Sequence, residues 1–166
     1  MDRRGVFMKS LVTYYSFSGN TDKIARIFAK ILGAKGQVDI QRLKPVKEAA
    51  TFIGQCHAAR RREKPELEGS PKYDASSYDL VLIASPVWAF APVPAMNTFL
   101  DKVTGLNGKR VIVLLTSGSG LGVKVCFNNM SRILKEKNAA GIDEINIPDR
   151  KQKDEEFIAS SLKKFL

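Results

Sequence analysis

The hydrophobic residues of this chain form short apolar runs that alternate with longer stretches of helical spacing. Strands are predicted at residues 10–15, 38–43, 80–84, 111–115 and 142–147. The runs at 80–84 and 111–115 are apolar at every position, which is typical of strands that helices cover on both faces. The run at 38–43 alternates polar and apolar residues and precedes Pro45, so we expect this strand nearer an edge of the sheet.

The amphipathic stretches between these runs predict the helices. Ile24, Ile27, Phe28 and Ile31 recur at the spacing of one helix face, and Gly33 follows them as a stop signal. Helices are predicted at residues 20–32, 48–62, 95–103, 123–137 and 155–166. This alternation of strands and helices indicates an α/β fold, a three-layer, doubly wound sheet of five parallel strands.

One connection is longer than such a fold needs. Thirty-five residues separate Leu43 from Asp79, whereas a crossover between parallel strands needs about a dozen. The predicted helix at 48–62 accounts for one part of it, and the Pro and Gly residues of 63–78 predict an extended surface loop. Connections of this length are usually functional or mobile, and we refer to this one as segment 44–78.

The length of 166 residues fits one domain, which excludes multidomain reductases and two-domain dehydrogenases. No stretch approaches the ~20 apolar residues that span a bilayer, and the first residues show no secretion signal, so we expect a cytoplasmic protein. Cys56 and Cys126 are too few for a disulfide scaffold and wrongly spaced for zinc, so we expect two reduced thiols.

The charge balance is the unusual part of the composition. Lys and Arg number 27 against 17 Asp and Glu, a formal net charge of +10, and residues 1–47 hold ten basic and only three acidic residues. Such an excess attracts acidic proteins, nucleic acids or anionic membranes, or it simply forms a solvated basic surface. No block of five like charges exists, which argues against a basic tail.

A polar loop containing a glycine separates the first predicted strand from the first helix. Residues 16–21, Ser-Phe-Ser-Gly-Asn-Thr, offer hydroxyl and amide groups, and the glycine lets backbone N–H groups approach a ligand. Together with the positive end of the helix dipole, they predict a phosphate site. Neither a Gly-Lys-Ser/Thr motif nor G-x-G-x-x-G spacing is present, which argues against triphosphate and dinucleotide loops. The alternative is an ordinary polar turn and helix N-cap.

Two further loops follow the third and fourth predicted strands, at the edge where open α/β sheets bind ligands. Residues 85–94 include Trp88, the single Trp of the chain. An exposed indole there can stack on a flat conjugated ring, and the alternative is a core Trp that caps the sheet. Residues 116–122 alternate glycines with small residues, which leaves backbone groups available to the edge of a ring. Three such loops on one edge of the sheet indicate a ligand-binding site more specifically than any one loop does.

Catalytic and metal-binding constellations are missing from these motifs. His57 is the single histidine and lies in a predicted helix, and Cys126 follows the glycine-rich loop at a position where we expect burial. No Ser/His/Asp set, metal-ligand spacing or carboxylate pair can be assembled from the motifs. Any chemistry must therefore belong to a cofactor.

Residues 8–21, Met-Lys-Ser-Leu-Val-Thr-Tyr-Tyr-Ser-Phe-Ser-Gly-Asn-Thr, resemble the opening of a flavodoxin. Residues 85–94 likewise resemble the flavin-ring loop of short flavodoxins and flavin-binding reductases. The resemblance implies a flavodoxin-like fold with strand order 2-1-3-4-5 and one FMN bound non-covalently at the carboxyl edge of the sheet. It also implies a domain at 8–166 with residues 1–7 as an N-terminal extension, and segment 44–78 is the main departure from it.

The same resemblance implies that each of the three loops contacts a different part of the flavin. The first loop would hold the phosphate with Ser16, Phe17, Ser18, Gly19, Asn20 and Thr21. The second would line the flavin ring with Pro86, Val87, Trp88, Ala89 and Phe90, of which Trp88 is the stacking candidate. The third would lie against the other side of the ring with Thr116, Ser117, Gly118, Ser119 and Gly120. Flavodoxins often carry a Tyr there and this chain has none, so that face is either open or covered by segment 44–78.

The resemblance implies electron transfer between protein partners, and the basic excess then favours an acidic redox partner over nucleic acid. Two alternatives are an NAD(P)H-dependent reductase of flavins, quinones or similar small acceptors, and a non-redox binding domain that uses its basic surface. None of the three loops carries Asp, Glu, Lys or Arg, so we expect an uncharged binding edge with basic residues around it. The sequence leaves the oligomeric state open.

Overall fold

The computed structural model describes residues 7–166 and contains a parallel sheet between two layers of helices. The strands are β1 (Met8–Tyr14), β2 (Gly36–Arg42), β3 (Leu80–Trp88), β4 (Ala91–Pro92), β5 (Arg110–Ser117) and β6 (Gly141–Pro148). The helices are α1 (Asn20–Gly33), α2 (Phe52–Arg60), α3 (Pro94–Lys102), α4 (Val123–Glu136) and α5 (Glu155–Lys163). Of the expected N-terminal extension at 1–7, all but Phe7 lies outside the described residues.

The five long strands are parallel and follow the order β2-β1-β3-β5-β6. The predicted order 2-1-3-4-5 is thereby confirmed, because β4 is a two-residue strand that pairs antiparallel with the end of β3 and lies off this path. Tyr14 at the end of β1 lies opposite Arg42 on one side and Ala84 on the other. The loops that follow β1, β3 and β5 therefore emerge side by side.

Alternate residues of the central strands supply two separate cores. Leu82 and Ala84 of β3 pack with α1 and α5, whereas Val81 and Ile83 pack with α3 and α4. All four are fully buried. Both faces of β3 therefore need apolar residues, which is the physical reason for its unbroken apolar run. Strand β2 is partly exposed along its length and forms one edge of the sheet, as predicted.

Segment 44–78 is packed onto the domain. The predicted helix is present as α2 with narrower bounds. A bridge between Pro45 and Leu67 joins the two ends of the excursion that contains α2, and Leu67 is buried. A second bridge, between Asp74 and Thr104, ties the end of the segment to the turn after α3. The prediction of an extended surface loop at 63–78 is confirmed, since these residues form no helix or strand and are mostly exposed, and the two bridges and buried Leu67 hold the loop against the domain.

No helix described within residues 7–166 has both the length and the apolar character needed to cross a membrane. Cys56 and Cys126 are both free, and Cys126 is buried as predicted. Its burial raises the pKa of the Cys126 thiol to about 12, so this sulfur is unreactive at neutral pH. The described residues contain no group of three His, Cys, Asp or Glu side chains placed to hold a metal ion.

Candidate functional site

The three predicted loops meet at the carboxyl edge of the sheet and enclose a pocket of about 340 Å³. Ten of the predicted site residues line it: Phe17, Ser18, Asn20, Thr21, Pro86, Val87, Trp88, Thr116, Ser117 and Gly118. The other predicted residues lie outside the lining: Ser16, Gly19, Ala89, Phe90, Ser119 and Gly120. Three residues that sequence reasoning did not select complete the wall: Phe52, Asp149 and Gln152.

The first loop leaves the start of α1 open beside this pocket. Gly19 precedes the helix in the left-handed conformation, with φ of 94°, and no side chain within the described part of the chain caps the helix N-terminus. Ser16 is buried, and its Oγ accepts a hydrogen bond from the Gly19 N–H at 3.1 Å. Ser16 thus closes the loop rather than capping the helix. The first-turn N–H groups and the positive end of the helix dipole stay available at Asn20 and Thr21, which line the pocket.

A buried hydrogen bond ties the first loop to the third. Thr21 Oγ1 and Thr116 Oγ1 lie 3.0 Å apart, and both side chains are almost fully buried. Ser18 and Asn20 are exposed at the mouth of the pocket instead. Two walls of the pocket are therefore held in a fixed relation by contacts within the protein itself.

Charged side chains flank the first loop although the loop itself has none. Arg42 ends β2, and its Nη2 donates to the carbonyl oxygen of Ser16 at 2.7 Å. Tyr14 donates its hydroxyl to Asp22, and Arg26 pairs with the same carboxylate at 2.9 Å. Arg42 and Arg26 thus belong to the basic residues expected around an uncharged edge, and the departure from that expectation is Asp149, which lines the pocket. Loops considered one by one do not reveal Arg42, because only the pairing of β2 with β1 brings it to this edge.

Hydrogen bonding and burial together set the ionisation of this group, which we call the Arg42 cluster: Tyr14, Asp22, Arg26 and Arg42. The hydrogen bond from Arg26 lowers the pKa of Asp22, and the Tyr14 hydroxyl and the Arg42 charge lower it further. Burial, followed by the hydrogen bond to Asp22, raises the pKa of Tyr14 to about 12. At neutral pH Asp22 is therefore a carboxylate and Tyr14 a neutral donor, and the cluster carries one net positive charge.

The aromatic wall of the pocket is built around Trp88. This indole is only 6% exposed, because the rings of Tyr15, Phe17 and Phe52 pack edge to face with it at centroid distances of 5.6–5.7 Å. The expectation of an exposed indole is wrong for that reason. Phe17 and Phe52 are themselves 46% and 55% exposed. Phe52 is the first residue of α2, so segment 44–78 contributes directly to the pocket.

The second loop reverses sharply at Ala89 and Phe90. Both residues have positive φ, 48° and 67°, and they join β3 to β4 as a two-residue hairpin turn. Turns of this kind favour Asn and Gly, so a bulky Phe there carries backbone strain. Phe90 packs over Gly122 so closely that a Cβ at Gly122 would lie 2.6 Å from its Cδ1. The ring is half exposed and stands on the rim of the pocket.

Asp149 and Gln152 close the pocket from the short helical turn after β6. Gln152 is buried, and its Nε2 donates to the carbonyl oxygens of Ser117 and Ile147, each at 3.4 Å. Asp149 brings a carboxylate to the lining. These residues follow the strand next to β5, so the carboxyl-edge rule that selects the three loops would have found them as well.

A second cavity, of about 600 Å³, lies on the other side of Tyr15. Segment 44–78 and the start of α3 form its walls, and Tyr15 belongs both to these walls and to the aromatic group around Trp88. The Tyr15 hydroxyl donates to Glu48 Oε2 at 2.7 Å. Burial, followed by this hydrogen bond, raises the pKa of Tyr15 far above its ordinary value, so the hydroxyl remains a neutral donor.

The sequence from β1 to α5 matches a known protein family. The family model described as flavodoxin covers residues 9–157. This chain belongs to the flavodoxin family. None of the curated proteins compared with it matches.

Solved structures with the flavodoxin fold resemble nearly the whole chain. A candidate flavoprotein from Bacteroides eggerthii DSM 20697 is 20% identical, with a TM-score of 0.72 over 94% of this chain and 96% of that one. A flavoprotein from Lactobacillus acidophilus NCFM, solved in complex with FMN, is 25% identical, with a TM-score of 0.64 over 90% and 99%. An azoreductase from Bacillus anthracis str. Sterne is 14% identical, with a TM-score of 0.59 over 95% and 96%, a likeness of fold alone.

Proposed function

We propose that this protein is an electron-transfer flavoprotein that binds one FMN in the pocket between the three loops. The observation that carries the proposal is an uncapped helix N-terminus beside an aromatic-walled pocket at one edge of the sheet. Anionic groups bind at helix N-termini, and flat conjugated rings pack against aromatic side chains. The volume of about 340 Å³ is within the range of small-molecule sites. The chemistry of the lining residues therefore fits FMN.

The first loop is proposed to hold the phosphate. A hydroxyl offers one donor hydrogen and two acceptor lone pairs, so Ser16 can accept from Gly19 and still donate to a phosphate oxygen. Thr21 keeps its own hydrogen for the phosphate when Thr116 is the donor between them. The proposed phosphate ligands are Ser16, Ser18, Asn20 and Thr21, with the backbone N–H group of Phe17. The backbone N–H of Gly19, also expected as a ligand, donates to Ser16 Oγ and would have to exchange that bond for one to the phosphate.

The second and third loops are proposed to hold the flavin ring from two sides. Pro86, Val87 and Trp88 form one wall and residues 116–118 the other, whereas Ala89, Phe90, Ser119 and Gly120 belong to the rim. Flat contact with Trp88 requires Phe17 or Phe52 to move aside, and both are exposed enough to do so. FMN, when bound, supplies the one- and two-electron chemistry that protein side chains lack, and this wall keeps water from the ring.

Protein partners are proposed to exchange electrons with the flavin at this edge. Phe17, Phe52, Phe90 and Leu121 give the pocket an exposed apolar rim, a type of surface that marks contact sites. The formal charge of +10 favours an acidic partner, because opposite charges speed and orient the encounter.

An NAD(P)H-dependent reductase is the second candidate function. The cavity of about 600 Å³ beside Tyr15 favours it, because this cavity would accommodate a small acceptor next to the aromatic wall of the flavin pocket. The third loop adds support, since none of its side chains is aromatic and its lining residues, 116–118, are small.

Fluorescence titration of FMN with the purified protein tests the proposal. We expect the flavin emission to be quenched to an end point of one FMN per chain, whereas unchanged emission would contradict FMN binding. NADH or NADPH added to the loaded protein without oxygen then separates the two functions. A carrier keeps its flavin oxidised until a separate reductase is supplied, and a reductase loses its yellow colour with the pyridine nucleotide alone.

A further inference from the structure

Arg42 occupies a defined position beside the first loop. It is the last residue of β2, and the pairing of β2 with β1 places it opposite Tyr14, two residues before Ser16. Its Nη2 donates to the Ser16 carbonyl oxygen at 2.7 Å. A guanidinium has five N–H donors in a planar fork, so this bond orients the side chain and leaves further donors available.

The neighbouring cations are paired differently. Arg26 is bonded to Asp22 at 2.9 Å, and Lys23 to Glu155 at 2.9 Å. Arg42 instead donates to a neutral carbonyl and has no carboxylate within ion-pair distance among the described residues. The one acidic group of the Arg42 cluster, Asp22, is already compensated by Arg26 and by the Tyr14 hydroxyl. Among the described residues, Arg42 is therefore a cation beside the first loop that no carboxylate compensates, whereas Asp149 brings a carboxylate to the pocket from the turn after β6.

A phosphate monoester would be attracted by such a charge in addition to the helix N-terminus. It carries about −1.5 to −2 near neutral pH, whereas the first loop offers only hydroxyls, an amide and backbone N–H groups. Hydrogen bonds in which the donor or the acceptor is ionised are roughly twice as strong as neutral ones, and the guanidinium fork fits phosphate oxygens in pairs, which single neutral donors cannot do. The ring and ribityl chain of a flavin carry no such anion, so this interaction would recognise the phosphate alone.

We propose that Arg42 is a binding residue for the FMN phosphate and makes the site selective for the phosphorylated flavin over riboflavin. The inference rests on the proposed function, since it places the phosphate at the first loop. Ser16 positions the guanidinium through its carbonyl oxygen and closes the loop through its hydroxyl. Ser16 thus holds the Arg42 guanidinium next to the hydroxyl and N–H donors of the first loop.

The test compares the dissociation constants of FMN and riboflavin for wild type, Arg42→Gln, Arg42→Lys and Arg132→Gln. Arg132 is an exposed residue of α4, bonded to Glu136, and its replacement makes the same charge change away from the first loop. We expect Arg42→Gln to weaken FMN binding about tenfold, the equivalent of about 1.4 kcal/mol, with riboflavin binding changed less than about twofold. Arg42→Lys should fall between wild type and Arg42→Gln, and Arg132→Gln should match wild type for both flavins.

Equal weakening of both flavins by Arg42→Gln would overturn the inference, because Arg42 would then only support the fold of the loop. An unchanged affinity for FMN would overturn it as well. If wild type binds FMN and neither Arg42 variant alters the preference over riboflavin, the proposed function stands and the role of Arg42 fails. If wild type binds neither flavin, both fail. Thermal unfolding of each flavin-free variant confirms that the comparison is made on folded protein.

Discussion

At the scale of single residues, the contact between Phe90 and Gly122 holds two of the pocket loops together. Phe90 lies over Gly122, which makes the second and third loops touch outside the pocket. Gly120 has the same φ as Gly122, 80°, but a Cβ there would meet no atom within 4 Å. Both positions therefore favour glycine for its backbone conformation, and only Gly122 also needs the absence of a Cβ to make room for Phe90.

Gly122→Ala should destabilise the protein more than Gly120→Ala. Both changes place Ala in the left-handed region, at a cost of about 1–2 kcal/mol. Only Gly122→Ala also drives a Cβ into the ring and backbone of Phe90, so we expect a further loss of at least about 1 kcal/mol. Urea unfolding of the two variants measures the difference, and equal losses would contradict the packing of Phe90 over this loop.

Asp22→Asn should reduce the loss of stability in acid. The hydrogen bond from Arg26 lowers the pKa of Asp22 in the folded state, so its contribution is complete above the unfolded pKa of about 3.9. It is lost as the pH falls through the lower folded pKa. Urea unfolding between about pH 5 and pH 2 should show a shallower decline for Asp22→Asn than for wild type. Glu156→Gln, at an exposed carboxylate of α5, is the control that should decline like wild type.

Sequence reasoning found the residues of the loops and missed their neighbours for a physical reason. The polar residues at 16–21 and the glycines at 116–122 directly follow apolar strands, so the sequence alone places them at the carboxyl edge of the sheet. Arg42 and Phe52 reach the site through strand pairing and through the packing of α2. Their role depends on contacts across the fold, which local patterns do not contain.

At the scale of elements, the periodicity of apolar residues predicted the five long strands and the helices because each face of the sheet has its own core. Segment 44–78 was predicted less well. Its bridges pair Pro45 with Leu67 and Asp74 with Thr104, so single residue pairs rather than a regular pattern hold it. The part between Val46 and α2 is attached by three side-chain hydrogen bonds: from Tyr15 to Glu48, from Gln55 to the Ala49 carbonyl, and from the Gly54 N–H to Thr51 Oγ1.

Tyr15→Phe should loosen residues 47–51 and leave the core of the sheet intact. The Phe ring keeps its place against Trp88, and only the hydrogen bond to Glu48 is lost. We expect faster amide hydrogen exchange at 47–51 and a loss of about 1 kcal/mol in unfolding free energy.

Glu48→Gln is the matched control, because its side-chain oxygen still accepts from Tyr15. Exchange rates at 47–51 close to those of wild type are expected for it. Unchanged exchange in Tyr15→Phe would show that this hydrogen bond does not hold the segment.

At the scale of the whole molecule, the basic excess is not concentrated at the binding edge. Arg62, Lys64, Arg132 and Lys137 line a groove beside the C-terminal parts of α3 and α4, which lead away from the proposed flavin pocket. Two of these cations are paired, Lys64 with Asp101 and Arg132 with Glu136. Lys47 is instead exposed in segment 44–78 and lines the second cavity beside Tyr15, so it tests whether an acidic partner docks on this side of the molecule.

Reduction of the loaded protein by an acidic redox protein should slow as the salt concentration rises, because salt screens exposed charges over about 8–10 Å. If docking occurs on the side of Lys47, Lys47→Glu should lower the rate several-fold. Arg132→Glu makes the same charge reversal away from that side and should lower it less. Stopped-flow traces of flavin reduction measure both, and a larger effect of Arg132→Glu would place the docking surface elsewhere.

The visible absorption spectrum of the purified protein, after incubation with FMN and removal of unbound flavin, tests the central proposal most directly. The three loops, the open N-terminus of α1 and the aromatic wall predict a yellow protein with one FMN per chain. A colourless protein that retains no flavin, although thermal unfolding shows that it is folded, would contradict the account.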